Sequence, residues 1–199
     1  MNILLHICCG PCLLYPFSRL KNQGFKIRGF YYNPNLYPLA EYHRRVEALG
    51  VLTREFSLDV DYPEYKEAEF YQAIKAQEEL PGRCLNCWSL RLQKTAQQAK
   101  ENGFLMFSST LLVSPYQNHE LLKQLGHRIG QETGVDFYYE DFRSGFKQAQ
   151  IEAKRKGIYR QRYCGCKYSI RPQFMERKPA NSLADPTLKM EDLEERNEI

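Results

Sequence analysis

Seven cysteines stand in three groups: Cys8, Cys9 and Cys12 in "HICCGPC", Cys84 and Cys87 in "CLNC", and Cys164 and Cys166 in "CGC". Seven is odd, so pairing within one chain cannot be complete. In a reducing compartment, clustered thiols hold metals or exchange electrons more often than they form structural disulfides. A CxxC at a helix start sets both sulfurs on one side, close to unsatisfied N–H groups and the positive dipole end. That favours thiolates, the metal-binding form. Two thiols from each of two loops would supply four ligands, which suits tetrahedral zinc or an iron–sulfur cluster. Cys8 and Cys9 are adjacent and do not make a zinc knuckle, though Cys9 and Cys12 have the spacing for one. A cluster accepts adjacent cysteines on different irons. Cys12 stays open between ligand support and core packing, where a lone Cys usually serves as a small hydrophobe.

The CGC group differs in setting. Residues 154–171 carry Lys154, Arg155, Lys156, Arg160, Arg162, Lys167 and Arg171, with no acid among them. Arg162 and Lys167 are expected to lower the thiol pKa values, and Gly165 frees the backbone to bring two sulfurs together. Cys164 and Cys166 therefore read as an accessible redox dithiol. The alternative is that they ligate an additional iron. Tyr159, Tyr163 and Tyr168 interleave the run, a pattern that suits phosphate contacts and base stacking on RNA. Histidine adds no acid–base pair, and His6 reads as a satisfied core residue.

Elements alternate around these groups. Strands are expected at 2–8, 25–32, 51–58, 104–112 and 135–142. Helices are expected at 12–24, 39–50, 63–80, 84–103, 114–134 (Ser114 as N-cap) and 146–157. Pro16 must lie in the first turn of its helix or kink it. This alternation predicts an α/β domain with a mainly parallel sheet and flanking helices, followed by the basic, Cys-containing segment. Sites in such sheets form at the carboxyl edge, so Cys8, Cys9 and the Ser108–Thr110 stretch should meet at one crevice. The chain has no GxGxxG, no Walker-type lysine motif and no SGGxDS loop, which disfavours ATP use. A CxxxCxxC motif is absent as well.

At 199 residues, a single catalytic domain over 1–178 is expected, with an acidic, loosely held tail over 179–199. The net charge is +4 and the composition is that of an ordinary globular chain. No run is long and apolar enough to span a bilayer, and no basic-then-apolar leader opens the chain. A cytoplasmic location without membrane association is the expectation.

Four stretches occur together in one order: "LLHICCGPC", "CLNCWSLRLQKTA", "STLLVSPYQNHE" and "DFRSGF…YRQRYCGCKYS". Over residues 2–172 the chain resembles the cobalamin-independent epoxyqueuosine reductases, the QueH family. The resemblance implies an adenine-nucleotide-hydrolase-like (HUP, Rossmann-like) fold and the two-electron deoxygenation of epoxyqueuosine to queuosine at the tRNA wobble position. It implies a 4Fe–4S cluster on Cys8, Cys9, Cys84 and Cys87, with Cys164 and Cys166 as the redox-active pair. A tRNA with a GUN anticodon and an electron donor would be the partners. Tyr116, Gln117, Arg160, Gln161 and Arg162 are expected as substrate contacts. Two rivals remain at this level. One is a zinc-stabilised RNA-binding module. The other is a CCG-type iron–sulfur disulfide reductase, whose motifs have a much shorter gap than Cys9 to Cys84.

Overall fold

The computed structural model describes residues 1–170; the expected tail over 179–199 lies outside the described residues. Five strands form one sheet: β1 (Asn2–His6), β2 (Lys26–Phe30), β3 (Val60–Asp61), β4 (Met106–Ser109) and β5 (Asp136–Phe137). All pairings are parallel, in the order β3-β2-β1-β4-β5. Chain order reverses between β1 and β4, so the crevice of this sheet opens at their carboxyl ends.

β1 reads as a continuous apolar run because both its faces are covered. Ile3, Leu4 and Leu5 are fully buried. α1 (Gly10–Asn22) and α2 (Leu39–Phe56) follow the first two strands. α3 (Glu67–Ile74), α4 (Gly82–Glu101), α5 (His119–Thr133) and α6 (Phe146–Arg155) complete the layers. α1 drives Leu13 and Leu20 into the core without residual exposure. Burial of that kind contributes roughly 1.5–3 kcal/mol per side chain.

Several boundaries differ from the sequence expectation. Residues 51–58 do not form a strand: α2 runs on through Phe56 and closes at Ser57, which is left-handed with φ 50°. Ala48, Leu49 and Leu52 continue a helical stripe into the core across Gly50, and the third strand is only Val60–Asp61. Helical period outweighed the β-branched and aromatic content of "VLTREF". α5 starts at His119, because the Asn118 side chain, not Ser114, accepts the Leu121 N–H at 3.1 Å. Ser114 Oγ instead takes the Tyr116 N–H in the preceding turn at 3.2 Å. β4 ends at Ser109 and turns directly into a 3₁₀ segment, Thr110–Val113. α1 begins at Gly10 with Cys9 as N-cap, two residues earlier than expected, and Pro16 lies inside it rather than in its first turn.

Candidate metal and redox centre

β1 ends beside β4, and the CCGPC turn meets Thr110 there. Cys8 N–H donates to Thr110 Oγ1 at 3.0 Å, and the same hydroxyl donates to Cys8 Sγ at 3.2 Å. Cys9 caps α1, its sulfur accepting the Cys12 N–H at 3.3 Å. The sulfurs of Cys8, Cys9 and Cys12 all lie within 4.8 Å of one another, and all three residues are buried. Cys12 therefore belongs to the sulfur group, which the sequence left open. Gly10 lets α1 pack closely on α2: a Cβ there would meet the Ala48 backbone at 3.3 Å.

The trio shares its protons unequally. Hydrogen bonds from Cys12 and then Cys9 hold the Cys8 thiol well below its ordinary value, with Arg91 and Thr110 adding to them. Burial raises Cys9, and the bond to Cys8 raises Cys12. The trio sits at the positive end of a 13-residue helix, which favours negative charge on sulfur. His6, just upstream, is satisfied as expected. Its Nδ1 pairs with Ser109 Oγ at 2.8 Å and its Nε2 with the Tyr32 carbonyl at 3.1 Å. Burial pushes it down to about 3, so it is neutral.

Cys84 and Cys87 occupy the third and sixth positions of α4. Burial pushes Cys84 up to about 11 and Cys87 up to about 12. Burial thus works against the thiolate expectation at this helix start.

The CGC segment folds back between two walls. On one side Arg45, 2% exposed, donates to the carbonyls of Cys164 (3.2 Å) and Tyr163 (3.1 Å), while its Nε pairs with Glu41 at 2.8 Å. Glu41 also accepts the Tyr159 hydroxyl at 2.5 Å, and Tyr37 N–H reaches the Gly165 carbonyl at 2.8 Å. On the other side Cys166 packs in a small buried cluster with Phe70, Ile74 and Cys87. Tyr168 donates to Glu78 at 2.7 Å and lies under Arg83. The hydroxyls of the tyrosines expected to stack on RNA therefore anchor the segment to the protein. The open dithiol of the sequence reading is also corrected. Cys164 is exposed, but Cys166 is buried and packs against Cys87, so the pair is not open on both sides. Cys8, Cys87 and Cys164 nevertheless lie within one another's electrostatic reach, directly or through Arg91.

Gly165 has φ +134°, and a Cβ there would stand 2.4 Å from Leu36 Cδ2. Gly165→Ala should cost about 1–3 kcal/mol of strain. It should also expose Cys166, read as faster alkylation by iodoacetamide at unchanged pH. Alkylation at the parent rate would show that the backbone absorbs the methyl group.

Of the five expected substrate contacts, Gln161 reaches the sulfurs: its Nε2 donates to Cys9 at 2.9 Å and sits 3.6 Å from Cys12. Arg162 is exposed on the same segment and Arg160 half-buried. Tyr116 and Gln117 lie on the turn after the 3₁₀ segment, the Tyr116 ring edge-on to Phe146 at 5.7 Å. Sequence reasoning placed Thr110 at this crevice, as found, but missed Asn33, Glu41, Arg45 and Arg91. Glu41 and Arg45 carry a legible i,i+4 spacing, but their burial does not show in sequence. Arg91 stands four residues after Cys87, on its face of the helix. His119 remains without an acid–base role. Its Nδ1 is 3.8 Å from Asp141, whose carboxylate is held by Arg143 at 2.6 Å.

Fold and site together define a parallel α/β domain with clustered sulfur at the carboxyl end of its first strand. The fold agrees with a predicted subunit of a tRNA methyltransferase from Methanocaldococcus jannaschii. That match has TM-score 0.52 at 11% identity, over 77% of this chain and 74% of that one. The family model described as epoxyqueuosine reductase QueH matches residues 3–172. The epoxyqueuosine reductase QueH of Thermotoga maritima is 39% identical over 85% of this chain and 90% of its own length. That of Dehalococcoides mccartyi is 37% identical over 87% and 94%. The chain belongs to this family, an oxidoreductase family. Among the described residues no helix is long and apolar enough to cross a membrane.

Proposed function

We propose that this protein reduces epoxyqueuosine to queuosine in tRNA carrying a GUN anticodon, in the cytoplasm. The observation that carries the reading is the gathering of buried sulfur at the carboxyl edge of β1 and β4, within a chain of the QueH family. Cys8, Cys9, Cys84 and Cys87 are assigned to a 4Fe–4S cluster. The fit rests on donor chemistry: thiols at two helix N-termini, Cys8, Cys9 and Cys87 buried and Cys84 half-buried, with hydrogen bonds from Thr110 and Gln161 onto sulfur. When bound, such a cluster supplies Lewis acidity and single-electron transfer.

The chain's own residues do the rest. Thr110 and Gln161 orient Cys8 and Cys9 and lower the charge density on their sulfurs. Cys164 and Cys166 are assigned as the electron source. Their oxidation to a disulfide yields two electrons and two protons. The deoxygenation consumes both, breaking two C–O bonds to give an alkene and water. An external thiol or electron-transfer protein then restores the dithiol. Tyr116, Gln117, Arg160 and Arg162 are assigned to the tRNA. The exposed Arg162 and Lys167, which flank the dithiol in the chain, and the exposed Lys154 and Arg155 on α6 support that assignment as phosphate contacts.

The test is an anaerobic assay on tRNA bearing epoxyqueuosine, read by nucleoside mass spectrometry. Queuosine should form with cluster-loaded protein and a strong reductant, and its absence would defeat the proposal. A colourless protein with stoichiometric zinc would point to an RNA-binding module. Cys164→Ser should keep the visible absorbance of the loaded protein and yield at most one turnover. Loss of that absorbance would make Cys164 a ligand, to the cluster or to an additional iron.

A further inference from the structure

Arg91 is a cation in an unusual position. The residue is 2% exposed, on α4 one turn beyond Cys87. Its single side-chain hydrogen bond among the described residues runs from Nη2 to Asn33 Oδ1 at 2.6 Å, and its Nε has no partner. Among the described residues it has no carboxylate within ion-pair distance, whereas the equally buried Arg45 has Glu41 at 2.8 Å. Asn33 in turn donates to the carbonyl of Ile7, the residue before Cys8, at 2.8 Å. Arg91 is thus tied to the start of the CCG turn through one amide and to the CLNC turn through its own helix.

A guanidinium removed from water without an anion is strongly disfavoured. Its place one turn beyond Cys87 and, through Asn33, beside Ile7 sets it between the two turns, and its charge acts on His6, Tyr32, Cys8, Cys87 and Cys164 among others. His6 is neutral, and Tyr32 donates its hydroxyl to Glu69. The other three of these are cysteines, one from each sequence group.

We propose that Arg91 is a positioning and charge-balancing residue of the sulfur centre, its buried guanidinium offsetting the negative charge that the sulfur ligands of the CCG and CLNC turns would carry in the loaded centre. The proposal rests on the metal-centre reading above and deepens it. A tetrathiolate iron–sulfur centre is anionic and gains a further negative charge on reduction. A fixed cation beside it favours the reduced form, because net charge and hydrogen bonding set cluster potentials. Arg91 would then set the poise of the centre without touching substrate.

The test uses the full chain, reconstituted anaerobically with iron and sulfide, as parent, Arg91→Gln and Arg91→Lys. Iron and sulfide content is measured first, then the midpoint potential by stepwise reduction followed at the visible absorbance. In Arg91→Gln, at the poise that half-reduces the parent, the reduced-to-oxidised ratio should fall at least tenfold, equivalent to about 59 mV for one electron. Arg91→Lys should recover most of that loss. A parent-like midpoint in Arg91→Gln with full iron and sulfide overturns the charge role while leaving the functional proposal standing. A parent that takes up no iron overturns both. Should Arg91→Gln take up no iron, Arg91→Lys decides: restored loading supports the role of charge, and loss in both variants makes Arg91 a folding residue and overturns the proposal.

Discussion

Replacing Glu41 by alanine should lower the unfolding free energy by about 3–5 kcal/mol, the cost typical of stranding one partner of a buried ion pair. The two side chains are only 2–3% exposed, so solvent screens the pair little. Arg45 would keep its bonds to the carbonyls of Tyr163 and Cys164 but lose its only carboxylate among the described residues. The Tyr159 hydroxyl would lose its acceptor in the same step. Urea denaturation of the metal-free protein measures the effect as a fall in midpoint at constant slope. The double variant Glu41→Ala, Arg45→Met supplies the control. It removes the stranded charge and should recover part of the loss, because apolar replacement of a whole buried pair is often neutral. A double variant less stable than Glu41→Ala alone would mean that Arg45 works chiefly through the two carbonyls.

Removal of a proposed ligand should have the larger effect on function. Cys8→Ala, Cys9→Ala, Cys84→Ala and Cys87→Ala should each reduce bound iron from about four per chain towards background, with loss of visible absorbance and of queuosine formation. Thr110→Ala tests the layer behind them. It removes the hydroxyl on Cys8 but no sulfur. Outer groups of this kind typically change metal affinity or activity about 10–100-fold, so a loaded but slower protein is expected. Full iron content in Cys84→Ala would refute the proposed ligand set. Cys12, a member of the same buried trio, would then be the first candidate to replace it.

Much of this site was legible in one dimension. The strand–helix alternation marked a parallel sheet, and Cys8 at the end of a buried run marked its carboxyl edge. A CxxC spacing on a helix is local information, set by 3.6 residues per turn. The errors were local too, and each arose where two periods competed. "VLTREFSL" offers β-branched and aromatic residues at strand spacing. It became helix because Leu49 and Leu52 reach the core only at helical spacing. Ser114 and Asn118 both carry capping side chains, and the loop geometry chose between them.

Protonation was not legible, because it depends on burial. The sequence places Cys164 among cations and Cys84 and Cys87 at a helix start, all of which argue for thiolates. Folding removes water from Cys84 and Cys87, and their burial raises both thiols, while Cys164 stays exposed. The same dryness makes Arg91 a conspicuous charge once the fold is known, although its spacing from Cys87 was in view throughout.

The sequence by itself determined the donors: seven thiols in three local groups, a parallel α/β order to carry them, and an identity shared with the QueH family over residues 3–172. Only the tertiary structure decided which donors meet. Gln161 reaches Cys9 across 152 residues of chain, and Thr110 reaches Cys8 across 102. Local propensity carries no record of separations that long. They follow from the β3-β2-β1-β4-β5 order of the sheet and from the buried Glu41–Arg45 pair that folds the CGC segment back over its edge.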